Sequence, residues 1–536
     1  MRKLLSIIVI LALAATATAV PAYRGPIIRT MEDGSEQIVY LHGNESFHYM
    51  TDSAGQWLDE KRLTPMTDAQ KKVRLEGLQA VQAHRAPQQQ QATGDEPYFV
   101  PRVLVLLVNF SDTKFTTPRD TIDSLLNGTH FTRDYTVRTT SSSGWGIYMH
   151  ITSSGSARQY FQDQSYGQYN PVFDVVGPVN LTRKAYYYGE NDDQGKDSRP
   201  REMIRDACSK ADATGLDFRQ YDNNNDGYVD ALYVIYAGYG EADGGSDSTI
   251  WPHQWDVSSR NYRYDNTYIG RYACSNELNF TSKKYTGIGT LCHEFGHVIG
   301  LPDLYENNTE RTGLHTLCQW DIMDQGSYSN DGNTPPAYSA YERFYMGWLT
   351  PRVLTEPEYV TLRPINEGEG ESLLISETNK HNLSGWDPNP TTFYLLEARK
   401  KEGWDKHLPG NGLLITQIRF NRSLWKNNKV NCDEETMGVN ILEAKPNDSN
   451  NGEASDVFPA GDINHWTELE GHEITNISRS YSDGVIRFSY RGADIPESIE
   501  EVQRDEVQST KVLRNGQIYL MYEGQMYDVL GRRIKE

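Results

Sequence analysis

Positive charge is scarce in this sequence of 536 residues. The 52 lysines and arginines are outnumbered by 73 aspartates and glutamates, so the net charge at pH 7 is −21. Proteins that grip nucleic acid through its phosphates carry a basic surface, as do proteins that adhere to anionic membranes. The composition therefore argues against both classes, and we expect no nucleic-acid partner.

Cysteine is also rare. The five cysteines match no zinc-finger spacing, and an odd number leaves at least one thiol unpaired even in an exported protein: Cys208, Cys274, Cys292, Cys318 and Cys432. Disulfides between some of them and buried free thiols both stay open as interpretations.

Long apolar runs are absent outside the N terminus. There, Arg2 and Lys3 precede an apolar stretch at 4–15, and an A-x-A pattern comes next at 17–19. The stretch is shorter than the about 20 residues that a membrane-spanning helix needs. This order of charge, apolar run and small residues is typical of a cleaved signal peptide, which we predict at residues 1–19.

Residues 20–97 differ in character from the rest of the chain. Alternating apolar and polar residues at 33–58 predict a few strands, and apolar spacing at 69–84 predicts a helix. The Gln-rich stretch RAPQQQQATGDEP at 85–97 predicts an exposed, cleavable linker. Behind a signal peptide, this order suggests a propeptide and linker at 20–97; an ordinary small domain on a tether is the alternative.

The remaining chain predicts a multidomain protein. An apolar strand at 102–110, helices at 202–213 and 290–300, and a strand at 229–237 indicate a mixed α/β domain over 98–351. Short strands with turn residues over 352–492 indicate an all-β, sandwich-like domain. An acidic linker at 493–509 and a small β unit at 510–536 complete the chain.

The string HEFGHVIGLPD contains the residues that point to chemistry. His293 and His297 are four apart, so on a helix both rings project from one face and can bind one Zn²⁺. Glu294 can then act as general base toward a metal-activated water. Catalytic zinc needs a third protein ligand, and Asp303 comes after a turn that Gly300 permits. His253, in WPHQW, is a rival third ligand.

A second metal candidate lies in the string DNNNDGYVD. Hard oxygen ligands at alternating positions suit Ca²⁺, and the candidates are Asp222, Asn224, Asp226 and Asp230. The twelfth position, where an EF-hand has a bidentate Glu, is Tyr233, so the string is not a complete EF-hand. An Asx-rich turn without metal is the alternative.

Several strings resemble the immune inhibitor A-like family of secreted metallopeptidases. They include YDNNNDGYVDALYVIYAGYGEA, HEFGHVIGLPDLY and WDIMDQGSY, and LWKNNKVN in the β region. The resemblance implies a metzincin-like zinc endopeptidase domain followed by a β domain, and it supports a propeptide. By residue it implies zinc ligands at His293, His297 and Asp303, Glu294 as general base, and Met323 in a supporting turn beneath the metal.

The C-terminal segment NGQIY…GQMYDVLGRRI resembles the sorting tails of Bacteroidetes-type secretion substrates. This resemblance implies export through the periplasm of a Gram-negative bacterium, with signal peptide and tail engaging the export machinery, and a secreted or cell-surface protein. A β-hairpin packed on the preceding domain is the alternative.

Two positions depart from related peptidases. Some metzincins place a tyrosine two residues after the turn methionine, where this chain has Gln325; Tyr305 and Tyr328 are nearby candidates to bind an oxyanion. Residues 20–97 also contain no cysteine, which excludes a cysteine switch. Inhibition by the propeptide would need a carboxylate or His48 near the zinc, or a steric block of the cleft.

These observations predict a secreted zinc endopeptidase, made as a precursor, that hydrolyses protein or peptide substrates. A non-catalytic, surface-displayed binding protein with a structural zinc site is the main alternative, although such a site would not need Glu294. An enzyme that cleaves amides other than proteins is a second one.

Overall fold

The computed structural model describes residues 18–31, 34–45, 47–83, 97–140, 146–192, 195–307, 316–378, 380–433, 436–446, 452–496 and four short segments between 510 and 534. Most of the predicted signal peptide and of both predicted linkers lies outside the described residues. Among the helices of the described chain, none is both long and apolar enough to cross a bilayer.

The N-terminal region forms an antiparallel sheet and one helix. The strands pair in sequence order: β1 Ile27–Thr30, β2 Glu36–Asn44, β3 Phe47–Thr51 and β4 Trp57–Leu58. The helix α1 spans Asp68–Ala83, within a residue of the periodicity in the sequence. The sheet covers residues 18–22, because Val20 packs in one apolar cluster with Ile27 and Leu41.

A five-stranded mixed sheet forms the centre of the next region, in the order β11-β14-β10-β5-β8. Its strands are β5 Arg102–Asn109, β8 Val172–Asn180, β10 Leu232–Tyr239, β11 His253–Asp256 and β14 Arg271–Leu278. Neighbours pair in parallel except for the edge strand β11, which runs antiparallel to β14. Strand β10 begins later than the pattern predicts, because Asp230 bonds to residues 221 and 223 and leaves the ladder.

Helices pack on both faces of this sheet, and five shorter strands form two small separate sheets. The helices are α2 Arg119–Asn127, α3 Ala157–Gln164, α4 Ala185–Gly189, α5 Pro200–Asp212, α6 Gly289–Ile299 and α7 Ala340–Tyr345. The remaining strands are β6 Asp134–Thr140, β7 Gly146–Thr152, β9 Tyr228–Val229, β12 Arg263–Tyr264 and β13 Thr267–Ile269. Five 3₁₀ turns complete the described chain: Phe218–Tyr221, Ser258–Arg260, Cys318–Trp320, Gln325–Tyr328 and Gly403–His407.

Residues 352–492 contribute two more sheets, in the orders β15-β17-β18-β19-β20 and β16-β22-β21. The elements are β15 Arg352–Val353, β16 Glu358–Leu362, β17 Leu373–Ile375, β18 Thr392–Arg399, β19 Gly412–Arg419, α8 Arg422–Lys426, β20 Val439–Ile441, β21 Ile474–Arg479 and β22 Ile486–Tyr490. The sequence pattern predicts only strands in this region, and the short helix α8 differs from that prediction. The tail adds a four-stranded antiparallel sheet of β23 Thr510–Arg514, β24 Gln517–Tyr522, β25 Gln525–Tyr527 and β26 Arg533–Ile534.

The α/β region and the β region share one core. Leu291 and Phe295 of α6 belong to the same apolar cluster as Leu414 of β19 and Trp425 of α8. A buried ion pair inside the β region, Arg399 with Asp405 at 2.7 Å, also bonds to both backbone polar groups of Ala337. The protein is thus a mixed α/β structure of several sheets. Its β region packs in one core with α6, the helix that contains His293 and His297. All five cysteines lie in the described chain, none in a disulfide.

Candidate metal centre and cleft

Helix α6 presents the two histidines to one point. Their Nε2 atoms are 3.2 Å apart, and each ring is fixed from behind by a backbone carbonyl that accepts from Nδ1: Ile322 for His293 at 2.7 Å and Leu301 for His297 at 2.8 Å. A carbonyl can only accept, so in the neutral rings Nδ1 carries the proton and Nε2 presents a lone pair. Burial lowers the pKa of His293, which favours the neutral ring that a metal requires.

Asp303 brings a third candidate ligand atom to the same point. Its Oδ1 lies 3.2 Å from Nε2 of His293 and 3.1 Å from Nε2 of His297, and all three side chains are buried. Three lone-pair atoms that face one another at this distance repel unless a cation lies between them. A tetrahedral zinc with ligand distances of about 2.0–2.1 Å places its ligand atoms about 3.3 Å apart, so the donor set and spacing fit zinc.

The turn after α6 places Asp303. Gly300 has φ 121°, a conformation that favours glycine, and ends the helix. Burial tends to raise the pKa of Asp303, but the imidazoles of His297 and His293 outweigh it and hold that pKa well below its ordinary value. The carboxylate is therefore ionised over the whole useful pH range.

Asn428, from the loop after α8, holds Asp303 from behind. Its Oδ1 accepts the backbone N–H of Asp303 at 2.7 Å, and its Nδ2 donates to Asp303 Oδ2. Asn428 itself has φ 51°, a left-handed conformation that asparagine tolerates. No pattern in the sequence singles out this residue beyond its place in the string LWKNNKVN.

Met323 lies under the helix. The space where a Cβ on Gly296 would point is 3.0 Å from the Met323 sulfur, and the Met323 carbonyl accepts from the backbone of Leu304 at 3.0 Å. The methionine therefore fills the gap between α6 and the Asp303 turn, where it supports the centre through packing.

Glu294 lies beside the three candidate ligands and faces a peptide group. Its Oε1 accepts the backbone N–H of Val20 at 2.8 Å. Burial raises the pKa of Glu294 well above its ordinary value, and the nearby carboxylates of Asp303 and Glu45 raise it further. A carboxyl group with a raised pKa can hold a proton as well as take one, which a general acid and base needs.

The N-terminal segment, residues 18–22, fills the cleft in extended form. Thr18 pairs antiparallel with Gln254 of the edge strand β11, with N–H···O distances of 2.9 and 2.7 Å. The hydroxyl of Tyr305 donates a hydrogen bond to the carbonyl of Ala19. The next three carbonyls each accept one side-chain donor: Val20 from Trp251 Nε1 at 3.0 Å, Pro21 from the Tyr328 hydroxyl at 2.7 Å and Ala22 from Gln325 Nε2 at 3.1 Å.

The rival ligand His253 is engaged elsewhere. Its Nδ1 bonds to the carbonyl of Trp251 at 2.7 Å and its Nε2 to the hydroxyl of Tyr272 at 2.8 Å. Burial lowers its pKa to about 4, so the ring is neutral and serves to link β11 to β14.

His48 does not reach the metal centre either. Its Nε2 lies 3.0 Å from Glu241 and 3.8 Å from Glu60. Arg74 donates to Glu60 at 2.6 Å and to the carbonyl of His48 at 2.8 Å. Because Glu241 comes two residues after the end of β10, this buried cluster joins the N-terminal region to the α/β region.

The acidic loop after Tyr221 is a network of turns. Asp222 accepts from the backbone of Asp226 and Gly227 at 3.0 Å each, Asn224 from that of Asp226 at 2.9 Å, and Asp230 from the Asn223 side chain at 2.9 Å. In the described part of the chain, three or more His, Cys, Asp or Glu ligand atoms converge at His293–His297–Asp303 and at His48–Glu60–Glu241, but not in this loop. Asn224 would have to contribute its amide oxygen to any calcium site here.

Residues 89–349 match the family profile described as immune inhibitor A peptidase M6, catalytic domain. The chain contains an M6 peptidase domain. Immune inhibitor A of Bacillus thuringiensis subsp. alesti is 30% identical over 325 residues, 53% of this chain and 45% of that protein. Pre-pro-metalloprotease PrtV of Vibrio cholerae serotype O1 is 26% identical over 284 residues, 46% of this chain and 30% of that protein.

This chain thus spans less than half the length of both relatives. The matched M6 domain contains the metal centre, Trp251, Tyr305 and Tyr328, whereas Asn428 and the N-terminal segment lie outside it. The cleft is therefore assembled from the M6 domain and from chain on both sides of it.

Proposed function

We propose that this protein is a zinc endopeptidase, exported as a precursor, that hydrolyses proteins or peptides. The observation that supports this most is the arrangement of Glu294: its carboxylate lies beside three converging metal ligands and bonds to a peptide N–H at 2.8 Å. A structural zinc site needs four protein ligands and no such carboxylate, whereas a catalytic site keeps a position open.

The chain's own residues divide the work. His293, His297 and Asp303 would hold zinc, which as a Lewis acid activates a water molecule and polarises a carbonyl. Glu294 takes the proton of the attacking water and delivers it to the nitrogen of the departing amine, where the Val20 N–H now lies. The groups that bond to the backbone on either side of this peptide group hold the bound segment extended. Its carbonyl therefore stays in place while the C–N bond breaks.

Precursor status is supported by what occupies the cleft. Residues 18–22 engage the edge strand and the side-chain donors of the cleft, and the N-terminal sheet covers them. The carboxylate of Glu45 lies close enough to raise the pKa of Glu294. Export would remove residues 1–19, leaving Val20 at Glu294 as the new N terminus. A steric block by the propeptide, with Glu45 nearby, is therefore our proposed form of latency.

Two further assignments stay proposals. Calcium binding by Asp222, Asn224, Asp226 and Asp230 would stabilise the loop before β10, and calcium titration followed by thermal unfolding of an Asp226→Asn variant tests it. Export across a Gram-negative envelope through the tail at 510–536 is tested by deletion of that tail and by measurement of where the protein accumulates.

The decisive experiment uses the whole precursor with a recognition site for a sequence-specific protease inserted within residues 87–95. Casein hydrolysis is measured before cutting and after cutting with removal of the N-terminal fragment, with and without a zinc chelator, for wild type and Glu294→Gln. We expect activity only after cutting, its loss with chelator, and a decrease on the order of 10²–10⁴-fold in Glu294→Gln at unchanged zinc content. Zinc bound without cleavage of casein or of a peptide library would refute the peptidase proposal.

A further inference from the structure

The Ala19–Val20 peptide group contacts two side chains beside the candidate metal ligands. Its N–H meets Glu294 and its carbonyl oxygen meets the hydroxyl of Tyr305. These two contacts involve the two ends of one peptide group, so the segment passes the metal centre in the direction and register of a substrate. Thr18, on the other side, continues along the edge strand.

We infer that Tyr305 is a catalytic residue that donates a hydrogen bond to the oxygen of the scissile carbonyl. The inference rests on the proposed function and extends it. As the water oxygen bonds to the carbonyl carbon, the water proton passes to Glu294 and charge gathers on the carbonyl oxygen. The C–N bond then breaks and Glu294 gives the proton to the amine. Tyr305 keeps its proton throughout and stabilises the oxyanion.

The surroundings of Tyr305 suit this role. Its side chain is buried, and its ring lies beside that of His293 with centroids 6.4 Å apart and an interplanar angle of 28°. It comes two residues after Asp303, and Asp303 is held by Asn428. A hydroxyl fixed by a packed ring beside a ligand is preorganised, so it needs no rearrangement as charge develops.

The two rival groups bind other carbonyls. The Tyr328 hydroxyl donates to Pro21, and Gln325, at the position where some metzincins have tyrosine, donates to Ala22. These lie two and three residues beyond Ala19. Together with Trp251, which binds the Val20 carbonyl, they hold three consecutive residues on the leaving-group side. The favoured substrates are therefore extended chains with at least three residues after the cleaved bond.

The test compares Tyr305→Phe and Tyr328→Phe in the cut precursor, freed of its N-terminal fragment, with Tyr169→Phe as matched control. Tyr169 is also a buried tyrosine that donates to a backbone carbonyl, that of Val100 at 2.7 Å, but away from the cleft. On an internally quenched peptide, Tyr305→Phe should lower kcat on the order of 10²–10³-fold with KM and zinc content unchanged. Tyr328→Phe should raise KM and leave kcat within a few-fold. A kcat of Tyr305→Phe within two-fold of the control would overturn the assignment, as would a large kcat loss confined to Tyr328→Phe.

A binding measurement keeps this inference separate from the proposed function. A peptide whose cleaved group is replaced by a tetrahedral phosphonamidate presents the oxyanion without turnover. Calorimetry measures how much Tyr305→Phe weakens the binding of each ligand, with the unmodified peptide measured in the Glu294→Gln background. We expect the binding of the analogue to weaken at least 30-fold more than the binding of the unmodified peptide. If the binding of both ligands weakens equally, the role of Tyr305 is contradicted even if the wild type cleaves nothing. If the wild type is inactive but the binding of the analogue weakens more than that of the peptide, only the peptidase proposal is contradicted. Shortening the peptide from three to one residue after the bond should weaken binding stepwise.

Discussion

The side chain of Asn428 forms hydrogen bonds with both the backbone N–H and the carboxylate of Asp303, which lies 125 residues earlier in the sequence. The β region thereby holds one of the three candidate metal ligands of the α/β region. Groups that orient a metal ligand from behind typically contribute 10–100-fold, as an order of magnitude, to metal affinity.

We therefore expect Asn428→Ala to weaken zinc binding about 10–100-fold while the folded structure persists. Competition with a chromophoric chelator measures the affinity, and circular dichroism checks the fold. Asn427→Ala is the matched control, because the side chain of that half-buried neighbour donates to Ser423 within its own helix turn. Unchanged zinc affinity in Asn428→Ala would mean that Asp303 is held well enough without it.

Gly289, at the start of α6, has no room for a side chain. A Cβ there would lie 1.8 Å from the backbone carbonyl oxygen of Ser327, and that backbone belongs to the turn beside Gln325. Gly289→Ala should lower the free energy of unfolding by about 1–3 kcal/mol or more, and tilt α6 enough to reduce activity. Chemical denaturation measures the first and kcat/KM the second.

Gly270→Ala provides the comparison, since its Cβ would approach no atom closer than 3.3 Å. Equal stability of the two variants would show that the turn at 325–328 moves freely, contrary to its buried packing.

The N-terminal segment should inhibit the processed enzyme when it is added back. A synthetic peptide of residues 20–28, VPAYRGPII, can form the bonds to Glu294, Trp251, Tyr328 and Gln325. We expect competitive inhibition of peptide hydrolysis, whereas a scrambled peptide of the same composition should not inhibit. Steady-state kinetics at several substrate concentrations separate the modes, and purely noncompetitive inhibition would place the peptide outside the cleft.

The cluster of His48 and Glu241 predicts a pH dependence of the precursor. Burial lowers the pKa of His48, but Glu241 outweighs it, so the net shift is upward; the pKa of Glu241 is also raised, first by burial. The folded precursor thus binds protons that the unfolded chain releases. This stabilisation is fully present below the ordinary histidine pKa of about 6.5 and is lost as pH rises through the raised value.

His48→Gln should therefore lower the Tm of the precursor by several degrees at pH 6 and by less at pH 9. His150→Gln, an exposed histidine 3.8 Å from Asp134, should show no such difference. If the loss of Tm in His48→Gln grew as pH rises, it would have the wrong sign and would exclude a proton bound at this cluster.

The periodic elements were predictable because their patterns are local. Helix α6, predicted at 290–300, spans Gly289–Ile299, and the buried strand predicted at 102–110 spans Arg102–Asn109. In both, apolar spacing is enough to specify the element. The apolar pattern predicts too early a start for β10. Asp230 leaves the ladder because it bonds to residues of the preceding turn, and the spacing of apolar residues does not reveal such bonds.

For the metal centre, the sequence by itself determined which residues share a helix face, because positions four apart always do. It also placed a carboxylate after a glycine turn within reach of that face. Only the tertiary structure shows that Asp303 contacts the two histidines while His253 contacts Tyr272, and that Tyr305 contacts the Ala19 carbonyl while Tyr328 contacts that of Pro21. The same holds for Asn428 and for residues 18–22: contacts across more than 100 residues depend on how the sheets pack, and that packing is set by the whole core rather than by any local spacing.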